Sequence, residues 1–152
     1  MILMNYRKTV VAVIYQGPEF FLVQKEYWKG RWDFVQGGVE AGETLEEAVL
    51  REATEETNLN KNNFGIPVNT DIACQRMFFP ETQEHYAGQR NGFDGKEQYY
   101  FLLQFLGDRE KIRLGDNLSA QKWCPAEEMQ QSVRAQLNGV IEKVVEYMKK
   151  QY

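Results

Sequence analysis

Acidic side chains are concentrated in one short segment of this 152-residue chain. Between Glu40 and Glu56 the sequence reads EAGETLEEAVLREATEE, in which seven of seventeen residues are Glu. Glu55 and Glu56 follow Glu52 by three and four residues, so on a helix the three share one face. Neighbouring carboxylates repel each other, and a divalent cation would reverse that repulsion because Mg²⁺ prefers oxygen ligands. The segment predicts a metal site, with a solvated acidic face as the alternative.

The residues next to the acidic face favour the metal site over the solvated face. Gln36, Gly37 and Gly38 form a glycine-rich segment, which permits a ligand to approach the backbone closely. Glu47 precedes Arg51 by four residues, a favourable orientation for an ion pair. We therefore expect Arg51 to be a structural clamp rather than a substrate contact.

A helix must carry these glutamates, and its ends can be read from the sequence. Thr44 and Glu47 have the spacing of a capping box, so the helix should begin near Thr44. The following apolar residues recur at helical spacing. We expect the helix to end near Asn58, because Asn tolerates the left-handed conformation that closes many helices.

The rest of the chain reads as strands followed by one long helix. Gly17 and Pro18 separate the first two strands, which predicts a hairpin. The apolar residues from Val133 to Met148 predict a single long amphipathic helix. Together the elements predict an α/β layered domain with a mixed sheet. The predicted strands are Thr9–Tyr15, Glu19–Lys25, Asp71–Phe79, Glu97–Leu106 and Gln121–Cys124, with a long loop over Pro80–Lys96.

The composition is that of an ordinary globular chain, for which we expect a single domain over residues 1–152. Cys74 and Cys124 are too few for a disulfide scaffold, and we expect both to be small buried side chains in a cytoplasmic protein. The formal net charge is −4, with 18 basic and 22 acidic residues. Such a chain is a poor general binder of polyanions unless it recruits a cation, and it argues against a long nucleic acid.

The acidic segment resembles the Nudix box, whose pattern is Gly-x5-Glu-x7-Arg-Glu-U-x-Glu-Glu-x-Gly-U with U a bulky apolar residue. Gly37, Glu43 and Arg51 match, as do the three glutamates that follow Arg51. Asn58 stands in place of the second glycine. The resemblance implies an α/β/α sandwich with a central mixed β-sheet and a hydrolase that cleaves a pyrophosphate bond in a nucleoside diphosphate derivative.

The same resemblance implies roles for the residues of the box. Glu52, Glu55 and Glu56 would bind a divalent metal, Mg²⁺ or alternatively Mn²⁺, with a backbone carbonyl at Gln36 or Gly37. Glu43 would stabilise the loop by pairing with Arg51. Metal would neutralise phosphate charge and lower the pKa of a bound water to generate the nucleophile.

Residues outside the box are similar to one subgroup of the family. Trp32 to Gly38 resembles the Trp-x-x-Pro-Gln-Gly-Gly segment of diadenosine tetraphosphate hydrolases and RNA pyrophosphohydrolases, with Val35 in place of proline. Tyr6-Arg7 is similar to a Tyr-Arg pair whose arginine contacts phosphate in that subgroup. Where the subgroup often has a catalytic glutamate, this chain has Asp116, a candidate general base with a plain turn residue as the alternative.

Further candidates lie in the strands and in the long loop. Phe79, Tyr86 or Phe93 could stack on a base. His85, the only histidine, could carry a proton but is more simply an exposed loop residue. The candidate phosphate contacts are Arg7, Lys25, Arg76 and Lys96, with plain surface charge as the alternative.

These observations predict a metal-dependent hydrolase of a dinucleoside polyphosphate such as diadenosine tetraphosphate. The alternatives are an RNA 5′-triphosphate pyrophosphohydrolase, a nucleoside triphosphate pyrophosphatase, and a Nudix-fold module that binds nucleotide or RNA without cleaving it. The last alternative is disfavoured because Glu52, Glu55 and Glu56 are all present.

Overall fold

The computed structural model describes residues 5–26, 30–77, 92–133 and 139–151, which form a six-stranded mixed sheet with helices on both faces. The strand order is β4-β5-β1-β2-β6, with β3 beside β1. β1 pairs in parallel with β5, and the remaining pairs are antiparallel. The strands are β1 (Tyr6–Gln16), β2 (Glu19–Lys25), β3 (Val35–Gly38), β4 (Val68–Met77), β5 (Gly95–Gln104) and β6 (Leu118–Pro125). The helices are α1 (Leu45–Thr57), α2 (Ala126–Val133) and α3 (Val140–Gln151), with short 3₁₀ turns at Lys61–Asn63 and Arg109–Lys111.

Strand β1 is buried on both faces because apolar residues occupy successive positions along it. Val10 and Ala12 belong to the core cluster that includes α1. Val11 and Val13 belong to the cluster that includes α2 and α3. A strand covered by helices on both sides has this near-continuous apolar pattern. The α/β/α sandwich expected from the sequence is confirmed, and the predicted hairpin at Gly17 is present.

The ends of α1 are those that the sequence predicts. Thr44 is the N-cap, and its side chain and that of Glu47 complete a capping box. Asn58 closes the helix in the left-handed conformation, with φ 55° and ψ 38°. Ala48, Val49 and other small residues pack against the sheet. The helix is therefore fixed at both ends and along one face, which leaves its acidic face free for a site.

The single long C-terminal helix expected from Val133 to Met148 is wrong. Val133 ends α2, and Val140 begins α3 as a separate helix. Gly139, which lies between them, has φ +83°. Such a left-handed residue interrupts helical geometry, although apolar spacing alone runs through it. Strand β4 begins three residues earlier than predicted, and β5 begins and ends two residues earlier. The predicted end of β4 at Phe79 lies outside the described residues.

The structure also bears on the expectation that both cysteines are buried. Cys124 is buried as expected, whereas Cys74 is only half-buried, and both are unpaired. Among the described residues, no helix combines the length and the apolar character needed to cross a membrane.

Candidate active site

A cavity of about 220 Å³ lies where α1 meets the glycine-rich strand β3. α1 contributes Glu52 and Glu56, and strands β1, β2 and β5 contribute basic side chains. The cavity therefore combines carboxylates with cations, a composition suited to a metal ion together with a phosphorylated ligand. Its lining residues are Arg7, Thr9, Val23, Lys25, Phe34, Val35, Gln36, Gly37, Gly38, Glu52, Glu56, Lys96, Asn117 and Leu118.

The two glycines of β3 are required by close contacts with charged side chains. A Cβ atom on Gly37 would lie 2.1 Å from the carboxyl carbon of Glu52. A Cβ atom on Gly38 would lie 2.1 Å from Nη2 of Arg7. Any larger residue would displace these groups, so the glycines let a carboxylate and a guanidinium both reach the backbone of β3.

The three glutamates of the acidic face have different environments. Glu52 is buried, with 9% of its surface exposed, and this burial raises its pKa to about 6. Burial, followed by repulsion from Glu55, also raises the pKa of Glu56. The side chain of Glu55 is 55% exposed, and Glu55 does not line the cavity. Because burial and carboxylate repulsion raise these pKa values, a cation bound beside Glu52 and Glu56 would stabilise their charged forms.

Arg51 contacts more partners than the single clamp expected from the sequence. Its Nε and Nη2 donate to the two carboxylate oxygens of Glu43 at 2.7 and 3.0 Å. Nη2 also donates to the carbonyl of Gly38 at 2.7 Å, and Nη1 donates to Glu52 at 2.8 Å and Glu55 at 3.4 Å. The hydrogen bonds from Arg51 lower the pKa of Glu43. Arg51 thus joins α1 to β3 and to the loop before the helix.

The four predicted phosphate contacts lie close together. Lys96 pairs in register with Arg7 on β1 and with Arg76 on β4, so the three residues form a row across the sheet. Burial, followed by repulsion from Lys25, lowers the pKa of Lys96 to about 7. Burial also lowers the pKa of Lys25. Arg76 does not line the cavity, but its charge acts on both lysines. An anion bound here would offset the repulsion between the cations.

Asp116 lies beside the acidic helix, in the turn before β6. The neighbouring Gly115 donates its backbone N–H to the carbonyl of Glu56 at 3.0 Å. The charge of Asp116 contributes to raising the pKa of Glu56, after burial and Glu55. Asp116 is exposed and does not line the cavity.

Of the three candidates for stacking on a base, only Phe93 lies within the described residues. Phe79, Tyr86 and His85 lie outside the described residues. Phe93 is half-buried and is not one of the lining residues.

Three polar residues at this site were not singled out from the sequence. Asp33 and Gln98 are buried, and Asn117 lines the cavity. The side chain of Gln36, considered only for its carbonyl, contacts both Asp33 and Lys96. The alternation of side chains along β5 could have shown that Gln98 shares the face of Lys96.

The donor set fits a divalent cation that keeps part of its own hydration. Among the described residues, no three acidic, histidine or cysteine side chains converge on one point. Mg²⁺ does not require such a cage, because it typically takes one or two carboxylates, several waters and phosphate oxygens of the substrate. The carboxylates of Glu52 and Glu56, together with the backbone of Gly37, meet that requirement in one cavity.

Comparison with known proteins identifies the family. A model of the NUDIX domain matches residues 5–147. This chain belongs to the Nudix family. The Nudix resemblance stated from the box residues is therefore confirmed, and members of this family generally use divalent metal ions.

Two relatives of this Nudix chain are both named RNA pyrophosphohydrolase. It is 30% identical over 156 residues to an RNA pyrophosphohydrolase of Helicobacter pylori strain G27, covering 97% of this chain and 89% of that protein. It is also 30% identical over 160 residues to an RNA pyrophosphohydrolase of Nitratiruptor, covering 97% and 96%. The chain is thus a hydrolase that acts on phosphoric anhydrides of nucleoside polyphosphates, and the non-catalytic alternative is not supported.

Solved structures share the fold of this Nudix hydrolase. The Escherichia coli dihydroneopterin triphosphate pyrophosphohydrolase superposes with a TM-score of 0.74 at 21% identity, covering 93% of this chain and 97% of that one. A Caenorhabditis elegans Ap4A hydrolase superposes with a TM-score of 0.69 at 23% identity, covering 95% and 98%.

Proposed function

We propose that this protein is a Mg²⁺-dependent hydrolase of the 5′-triphosphate end of RNA. The observation that carries the proposal is the cavity in which Glu52 and Glu56 lie together with Arg7, Lys25 and Lys96. The relatives that match almost the whole chain, and that are named RNA pyrophosphohydrolase, favour an RNA end as the carrier of the phosphates.

Each charged group of the cavity has a proposed task. Glu52 and Glu56, with the exposed Glu55 and a backbone carbonyl of Gln36 or Gly37, would hold Mg²⁺. The ion would neutralise phosphate charge and lower the pKa of a bound water. Arg7, Lys25 and Lys96 bind the non-bridging phosphate oxygens, and Arg76 adds positive charge beside them. These contacts orient the phosphate chain relative to the acidic helix.

Asp116 is the proposed acceptor of the proton released by the attacking water. Its carboxylate is close enough to Glu56 to affect the pKa of that residue. A general base at this position would contribute to kcat rather than to substrate binding.

A dinucleoside polyphosphate, the substrate ranked first from the sequence, is the second candidate. The observation that favours it is the net charge of −4, because a long RNA is bound best by a basic surface. Both substrates present a polyphosphate chain to the cavity, so the cations alone do not distinguish between them.

The test is a substrate panel with matched variants. The protein is incubated with Mg²⁺ and triphosphorylated RNA, diadenosine tetraphosphate or free nucleoside triphosphates, and the products are identified by mass spectrometry. We expect pyrophosphate or orthophosphate release from the RNA end with the highest kcat/KM. A higher kcat/KM for diadenosine tetraphosphate would favour the second candidate.

The carboxylate variants test the mechanism itself. We expect Glu55→Gln and Glu56→Gln to nearly abolish turnover while the folded structure is retained by circular dichroism. Removing metal with a chelator should have the same effect, reversed by added Mg²⁺. Undiminished activity in both variants would reject the proposed site.

A further inference from the structure

Asp33 is a buried carboxylate next to the cavity that none of the roles above uses. Its exposed fraction is 5%, and it does not line the cavity. Its backbone is fixed by reciprocal hydrogen bonds with Val23, both 2.9 Å long. Its side chain accepts the backbone N–H of Phe34 at Oδ1 and the Nε2 group of Gln36 at Oδ2, each at 2.8 Å. The carboxylate is therefore held rigidly, with one oxygen committed to Gln36.

Asp33 determines which end of the Gln36 amide faces Lys96. An ionised carboxylate is only an acceptor, so Gln36 must turn its NH₂ group toward Asp33. The amide oxygen then faces the opposite way, where it accepts Nε2 of Gln98 at 2.7 Å and Nζ of Lys96 at 3.1 Å.

Gln98 supports this direction of the hydrogen bonds. It is 1% exposed, and its NH₂ group is turned to Gln36 although its own Oε1 has no partner within the described part of the chain. The oxygen of Gln36 is thus the acceptor around which the neighbouring donors are arranged.

We propose that Asp33 is a positioning residue that orients the Gln36 amide, so that the Gln36 oxygen holds the Lys96 ammonium in place for the phosphates of the substrate. The proposal rests on the proposed function in that it takes Lys96 to be a phosphate contact. Gln36 and Lys96 both line the cavity, whereas Asp33 does not. Burial gives Lys96 a reason to need such an acceptor, because a buried ammonium requires hydrogen-bond partners.

Asp33→Asn tests the direction of the hydrogen bonds from Asp33 through Gln36 to Lys96, with almost no change in side-chain volume. The amide oxygen that this change introduces can still accept the N–H of Phe34, but the new NH₂ group then meets the NH₂ group of Gln36. Gln36 would have to flip and present a donor to Lys96. A second change, Gln36→Glu, restores an acceptor for both neighbours, so the Asp33→Asn/Gln36→Glu pair reverses the hydrogen bond and keeps the total charge.

The measurement is binding, by calorimetry with Mg²⁺, of a GTP analogue whose bridging oxygens are replaced by methylene groups and which cannot be hydrolysed. We expect Asp33→Asn to raise Kd about tenfold, the size typical for a hydrogen bond to a charged group. The double variant should return to within about threefold of the unaltered protein. KM for triphosphorylated RNA should follow Kd, while kcat changes less than about threefold, since a contact made equally in ground and transition states affects KM.

Asp108→Asn is the matched control, because it makes the same chemical change at an exposed turn away from the cavity. It should leave Kd unchanged. Equal Kd values for Asp33→Asn and the unaltered protein, or no recovery in the double variant, would overturn the positioning role. If the analogue does not bind the unaltered protein at all, the proposal also fails. Analogue binding without hydrolysis of any substrate would refute the proposed function alone, since the Kd series still measures the role of Asp33.

Discussion

At the scale of single residues, Gly37 and Glu52 are in close contact. Gly37 is not in the left-handed region of the backbone, so the requirement for glycine there is one of space. Glu52 occupies the volume that a side chain at position 37 would need. The glycine of the Nudix box thereby determines how closely a carboxylate can approach the backbone of β3.

Gly37→Ala should lower kcat by about a hundredfold, because moving a catalytic group by about 1 Å has effects of that size. Hydrolysis of triphosphorylated RNA and thermal unfolding measure the activity and the folding of the variant. Gly65→Ala is the control, since its added Cβ would meet the nearest atom, Cβ of Gln104, at an ordinary 3.6 Å. A Gly37→Ala variant with full activity would contradict the proposed place of Glu52.

At the scale of elements, a capping box fixes the first turn of α1, the helix that carries the proposed metal-binding glutamates. The Thr44 hydroxyl accepts the N–H of Glu47 at 3.1 Å, and the Glu47 carboxylate accepts the N–H of Thr44 at 2.9 Å. Arg51 then joins the middle of the helix to the loop and to β3. The helix is thus held independently at its cap and at its centre.

Thr44→Ala should lower the free energy of unfolding by about 1 kcal/mol, the typical loss for an N-cap replaced by alanine. Urea denaturation measures this change. Thr44→Ser is the control, because serine keeps the hydroxyl and should keep most of the stability. We expect kcat to change little in either variant, since Glu52 and Glu56 lie two turns or more beyond the cap. A large loss of kcat with unchanged stability would contradict the view that the cap stabilises the helix without positioning Glu52 and Glu56.

At the scale of the whole molecule, the distribution of charge limits how RNA could be bound. The chain has a net charge of −4, while Arg7, Lys25 and Lys96 line the cavity and Arg76 lies beside Lys96 on β4. We infer that recognition is confined to the phosphorylated end, because affinity along an RNA chain requires further basic residues.

Binding of triphosphorylated RNA should therefore be insensitive to length. A 4-nucleotide and a 20-nucleotide RNA should have Kd values within about threefold of each other, measured with the inactive Glu56→Gln variant. The slope of the logarithm of the association constant against the logarithm of the salt concentration should be no steeper than about −3. This value is roughly −0.7 for each of four phosphate contacts to a single strand. A marked gain in affinity with length, or a much steeper slope, would show a basic track that the charge distribution does not predict.

Several elements were predictable because their signals are local. The capping box at Thr44, the left-handed Asn58 and the hairpin at Gly17 each depend on residues a few positions apart. The division into two C-terminal helices was not predictable in the same way. The apolar period continues across Gly139, whereas the backbone leaves the helical conformation at that residue. The register that aligns Arg7, Lys96 and Arg76 depends on strands far apart in the chain.

The sequence by itself determined the family and the acidic helix, since spacing within one short segment places Glu52, Glu55 and Glu56 on one face. It also identified four cations without showing that they lie together. Only the tertiary structure decided that Glu52 is buried and Glu55 exposed, and that Asp33 and Gln36 lie next to Lys96. The physical reason is that periodicity fixes which face of an element a side chain occupies, whereas burial, pKa and hydrogen-bond direction depend on what other elements pack against that face.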